Sequence, residues 1–73
     1  MKKGDKVKCV DNLCNGYLTT GKVYDVVAGE GDRCAIFGDV LDDDEFNIIC
    51  DDGDRIYVRF NSECHAVWEV VND

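Results

Sequence analysis

The chain is short of positive charge. Its 73 residues carry 8 Lys and Arg against 16 Asp and Glu, a formal net charge of −8. Sequence-independent binding to nucleic acid needs a basic footprint, and so does adhesion to an anionic membrane surface; both are disfavoured. No apolar run approaches the roughly 20 residues that a bilayer span needs. The opening Met1-Lys2-Lys3-Gly4-Asp5 has no apolar stretch of the kind a signal peptide carries, so a cytoplasmic protein is expected. Histidine is nearly missing, with His65 alone. Neither a triad-like arrangement around it nor a G-x-G-x-x-G or P-loop occurs, and neither acidic run fits an EF-hand. A chain this short buries only about 60% of its unfolded surface and is not expected to enclose a catalytic cleft. A protein without enzymatic activity and without a cofactor is therefore expected.

The cysteines are Cys9, Cys14, Cys34, Cys50 and Cys64. An odd count in a small chain makes a poor disulfide framework. No C-x2-C knuckle is present, and Cys64 and His65 are adjacent, so that strand geometry would point them apart. Free thiols, most of them small core side chains, are expected rather than a metal site.

Charge is distributed unevenly. Residues 1–24 hold Lys2, Lys3, Lys6, Lys8 and Lys22 against Asp5 and Asp11, a balance of +3. Residues 25–54 hold eleven acids against Arg33 alone, a balance of −10, and residues 55–73 come to −1. Two runs are densest: Asp42-Asp43-Asp44-Glu45 and Asp51-Asp52-Gly53-Asp54. Such runs serve as solvated turns or as a surface for a positively charged partner.

Alternation at period 2 dominates, and no helical spacing persists for three turns. Val7 and Cys9 share a face of Lys6–Val10. Lys22–Val27 is rich in β-branched and aromatic residues. Phe46, Ile48 and Cys50 fall together, as do Ile56, Val58 and Phe60, and Trp68 with Val70 in the last run. The Asp-Gly of residues 51–54 predicts a hairpin between the third and fourth strands. Residues 61–65 suit one 3₁₀ turn. One all-β domain over residues 1–73 is predicted, a small five-stranded SH3-like antiparallel barrel whose closure hides its edges. A long insertion, Ala28 to Glu45, separates strands two and three. It is expected to form an extended second hairpin in which Cys34–Phe37 pairs with a later run and covers one barrel mouth. It is also the candidate partner surface, with Phe37, Val40 and Leu41 as apolar anchors inside a rim of Asp42, Asp43, Asp44 and Glu45, joined by Asp51 and Asp52.

The stretches Lys3-Gly4-Asp5-Lys6-Val7-Lys8-Cys9-Val10-Asp11 and Leu18-Thr19-Thr20-Gly21-Lys22-Val23-Tyr24-Asp25-Val26 resemble the opening of many small bacteriophage proteins with SH3-like barrels, and the Asp-Asp-Gly-Asp hairpin and Arg59-Phe60 resemble their later half. The long acidic middle and Cys64-His65 depart from that pattern. Length, acidity and the Met1-Lys2-Lys3 start are similar to phage-encoded inhibitors of host RNA polymerase. The resemblance implies a monomeric, non-enzymatic protein of the host cytoplasm that binds the β and β′ subunits and blocks transcription initiation. Two alternatives stay open: an acidic DNA mimic that inhibits a nuclease or DNA-binding protein, and a phage structural or adaptor protein without a host target.

Overall fold

The computed structural model describes residues 1–60 and 65–71. Five strands appear: β1 (Lys6–Asp11), β2 (Val23–Ala28), β3 (Glu45–Ile49), β4 (Arg55–Arg59) and β5 (Val67–Val71). They form one curled antiparallel sheet in the order β4-β3-β2-β1-β5, the architecture of a small SH3-like barrel. No helix among the described residues is long and apolar enough to cross a membrane. The part of the expected 3₁₀ turn at residues 61–64 lies outside the described residues.

Period-2 alternation produces this sheet because only one face of each strand is taken out of water. Val7 and Cys9, Tyr24 and Val26, Phe46 and Ile48, Val58 and Trp68 all enter a single cluster, which Leu18, Cys50 and Ala66 complete. Two edge-to-face ring pairs tie its centre, Tyr24–Trp68 at 5.8 Å and Phe46–Trp68 at 5.9 Å between centroids. The hairpin between β3 and β4 sits where Asp-Gly predicts it, with Gly53 at φ 88° and Phe46 opposite Val58. Val70 departs from expectation. It lies opposite Val7 in the register, yet at the rim of the curled sheet it stays 39% exposed.

The insertion, residues 29–44, folds differently from the expected long hairpin. Its only bridge is Arg33 with Val40. Backbone bonds from Leu41 N–H to Asp32 O (2.8 Å) and from Cys34 N–H to Asp39 O (2.7 Å) close a short neck. Cys34–Phe37 is the turn and not a strand, because the chain doubles back at Gly38, whose φ of 77° favours glycine. Nor does this arm cap a barrel mouth. A bulge between Val26 and Ala28 places Ala28 opposite Asn47, on the side of the sheet away from the main core. There Ala28, Cys34 and Leu41 form a second cluster with Tyr57 packed against it.

Candidate functional site

The arm carries the most exposed large apolar side chains of the described residues: Phe37 at 64%, Val40 at 59% and Ile36 at 46%. Three such groups within five residues are worth explaining, since burial of each would stabilise a fold and none is buried here. The geometry accounts for how they are held. The Phe37 ring stands edge-on to Tyr57, 5.2 Å between centroids. Arg33 Nη1 donates to Gly38 O at 3.0 Å and closes the turn beneath them. Leu41, next to Val40, is only 3% exposed and plugs the cluster below. Of the three apolar anchors read from the sequence, Phe37 and Val40 are thus available to a partner and Leu41 supports them from underneath.

Asn47 fixes the arm to the sheet. It is the one buried polar side chain among the described residues. Its Oδ1 accepts from Ala35 N–H at 2.9 Å, and its Nδ2 donates to Cys34 Sγ at 3.5 Å and to Ile56 O at 3.4 Å. Burial pushes the Cys34 thiol up, but N–H groups of Phe37, Asn47 and Ile36 aimed at the sulfur outweigh it and leave the thiol below its ordinary pKa.

The acids at the arm's base are partly committed. Tyr57 Oη donates to Glu45 Oε2, and Asp42 N–H donates to Glu45 Oε1 at 2.7 Å. The Tyr57 bond is the main reason that the Glu45 carboxyl lies below its usual range; burial, with Glu45 next, pushes the Tyr57 phenol up to about 12. Asp44 pairs with Arg59 at 3.7 Å. Asp42 has no such help, and the nearby Glu45 charge raises its carboxyl above the usual range. Asp42 and Asp43 remain exposed and line a shallow concavity with Glu30, Asp44 and Val40. The first residues brace this base: the Met1 ammonium donates to Asp43 O at 2.6 Å, and Glu30 N–H donates to Met1 O at 2.5 Å.

The second acidic run belongs elsewhere. It lies in the β3–β4 turn, at the end of β3 opposite Glu45, so the two runs do not merge. Asp51 accepts from Thr19 Oγ1 (2.6 Å), Lys22 Nζ (2.7 Å) and Tyr24 Oη (2.9 Å). Lys22 leads these donors in lowering the Asp51 carboxyl to about 2. Asp51 therefore locks the β1–β2 loop to the hairpin, while Asp52 beside it stays exposed. A second lock joins Tyr17 Oη to His65 Nδ1 at 2.6 Å. Among the described residues no three His, Cys, Asp or Glu side chains converge as a metal ion would require.

The site that emerges is Ile36, Phe37 and Val40 on an arm flanked by Glu30, Asp39, Asp42 and Asp43. Sequence reading missed Ile36 and the supports Asn47 and Tyr57. The Cys34-Ala35-Ile36-Phe37 run signalled Ile36, but nothing local distinguishes Asn47 from any solvent-facing strand residue. Comparison with known proteins found no protein family, no curated protein and no solved structure that matches the chain.

Proposed function

We propose that the chain is a non-enzymatic binding protein that docks its arm on a positively charged protein surface. The observation carrying this reading is the exposed Ile36–Phe37–Val40 tip within an insertion, residues 29–44, that holds Glu30, Asp32, Asp39, Asp42, Asp43 and Asp44 against Arg33 alone. An aromatic anchor desolvated at the centre of a contact supplies affinity, and a charged rim supplies steering and specificity. The partner named by the phage resemblance is host RNA polymerase, a machine that handles DNA through basic surfaces. Occupying such a surface on the β or β′ subunit would inhibit host transcription initiation without any bond-making, in the host cytoplasm. A DNA mimic would need free carboxylates more than apolar anchors; here Asp44, Glu45 and Asp51 are engaged internally, and the apolar groups stand out.

The test is to titrate host polymerase core with wild type, Phe37→Ala and the triple variant Asp42→Asn, Asp43→Asn, Asp44→Asn. The reading expects Phe37→Ala to weaken binding at least tenfold, mainly through faster dissociation. The triple variant should slow association and flatten its salt dependence. Absence of polymerase binding by the wild type ends the polymerase assignment. A basic DNA-binding protein whose binding ignores Phe37→Ala but fails with the triple variant would favour the mimic.

A further inference from the structure

We propose that the tip of the arm, residues 31–41, opens and recloses as a unit while the barrel stays folded. Its two legs are pinned. Glu30 N–H donates to Met1 O on one side, and on the other Phe60 N–H donates to Asp44 O at 2.7 Å. Between the legs, the backbone bonds of Gly31, Cys34, Gly38 and Leu41 all close within the arm. They survive if it lifts. The hydrogen bonds shown between tip and sheet run through one side chain, Asn47, to Ala35 N–H and Cys34 Sγ. The rest of the attachment is the small cluster of Ala28, Cys34 and Leu41 with Tyr57, and the Phe37–Tyr57 ring contact.

Local opening costs least where few apolar contacts are lost and where the segment keeps its own hydrogen bonds. Both conditions hold for this tip and for no strand of the barrel. Lifting would uncover Cys34, Leu41 and the Tyr57 ring, widening the apolar surface beside Phe37. A partner that prefers this wider surface would draw the population towards it. The opening is a property of the free protein and stands independently of the partner assignment above.

The experiment uses the unaltered chain. Pulsed alkylation with iodoacetamide, read by mass spectrometry, compares Cys34 under the arm with Cys9 in the barrel core. Hydrogen exchange compares the Ala35 amide, bonded to Asn47 Oδ1, with the Cys9 and Val26 amides, which are bonded to Lys22 O and Asp5 O. Cys34 alkylation and exchange at Ala35 are expected to run at least tenfold faster than their barrel counterparts, with little dependence on low urea, whereas the barrel sites speed up as urea rises. Asn47→Ala should raise Cys34 labelling further and leave Cys9 unchanged. Equal rates at Cys34 and Cys9 with the same urea dependence in the wild type would overturn the proposal, and that comparison decides even if the Asn47 variant fails to fold.

Discussion

The barrel cluster gathers eleven buried residues from all five strands, the β1–β2 loop and the chain around Cys50 and Ala66, whereas the arm cluster gathers Ala28, Cys34 and Leu41 beneath a single tyrosine. The barrel is held by cross-strand pairs and edge-to-face rings from distant parts of the chain. The arm is held by a short neck, one asparagine and the pinned legs. A fold of this size has little stability to distribute, about 0.05–0.15 kcal/mol per residue. The difference shows where it goes. The sheet that carries the molecule takes nearly all the apolar burial, and the segment that meets solvent keeps three large apolar side chains unburied.

Substitutions in the two regions should separate accordingly. Trp68→Ala removes the ring that both Tyr24 and Phe46 meet edge-to-face and should cost about 3–5 kcal/mol, enough to unfold much of the population. Thermal or urea melting that matched wild type would remove Trp68 from the core. Gly29→Ala acts at the joint between regions. A Cβ there would strike the Met1 carbonyl and come within 2.6 Å of Lys2 Cα, both backbone, so about 1–3 kcal/mol is expected. Its signature is loss of the Met1–Glu30 contact, seen as faster exchange of the Glu30 amide. Leu41→Ala should cost about 2 kcal/mol, the low end for a leucine, because the arm can settle into the space. It should speed exchange in the arm far more than in β1. Equal acceleration in both would mean one cooperative unit.

Much of the barrel was legible because one buried face imposes alternation on every strand. Val7 with Cys9, Phe46 with Ile48 and the Asp-Gly hairpin need no long-range information. The arm was legible only as a length of chain too long for a simple turn. Its pose depends on the bulge between Val26 and Ala28, which turns Ala28 to the far side of the sheet, and alternation cannot reveal an extra residue of that kind. For the same reason Asn47, out of phase with Phe46 and Ile48, is buried. In the pair Val40-Leu41 the bridge from Val40 to Arg33 accompanies an outward Val40 and an inward Leu41; the two residues look alike in sequence. Of the apolar residues that the sequence singled out in this segment, Phe37 and Val40 stand exposed and Leu41 is turned inside, while Ile36, which it passed over, is exposed as well.

The acidic runs sharpen the contrast through pH. The folded Asp51 carboxyl lies at about 2, below its ordinary 3.8, with Lys22 the leading cause. A depressed carboxyl contributes stability that is complete above its unfolded pKa and lost as pH falls through the folded one. The barrel should therefore weaken between about pH 4 and pH 2, and Asp51→Asn should lower stability at neutral pH while flattening that acid limb. Asp42 has the opposite sign. Its carboxyl is raised by Glu45, so protonation relieves repulsion, and Asp42→Asn should be neutral or slightly stabilising at pH 7. Melting curves of both variants from pH 2 to pH 7 check the two signs together; parallel curves would dissolve the distinction between the runs.

Among the apolar truncations, the smallest effect on stability is expected at Phe37. Its ring is largely in water, and the ring contact it makes is the T-shaped pair with Tyr57. Truncation therefore returns little apolar surface to solvent on unfolding, and Phe37→Ala should change stability by no more than about 0.5 kcal/mol. The same change strips the largest exposed apolar group from the arm. A side chain that costs almost nothing to remove from the free protein, yet at least tenfold in affinity to remove from a complex, contributes to binding alone. A loss of stability above about 1 kcal/mol would instead make Phe37 part of the arm's own packing, and the tip would then be a third piece of the fold rather than a surface left open.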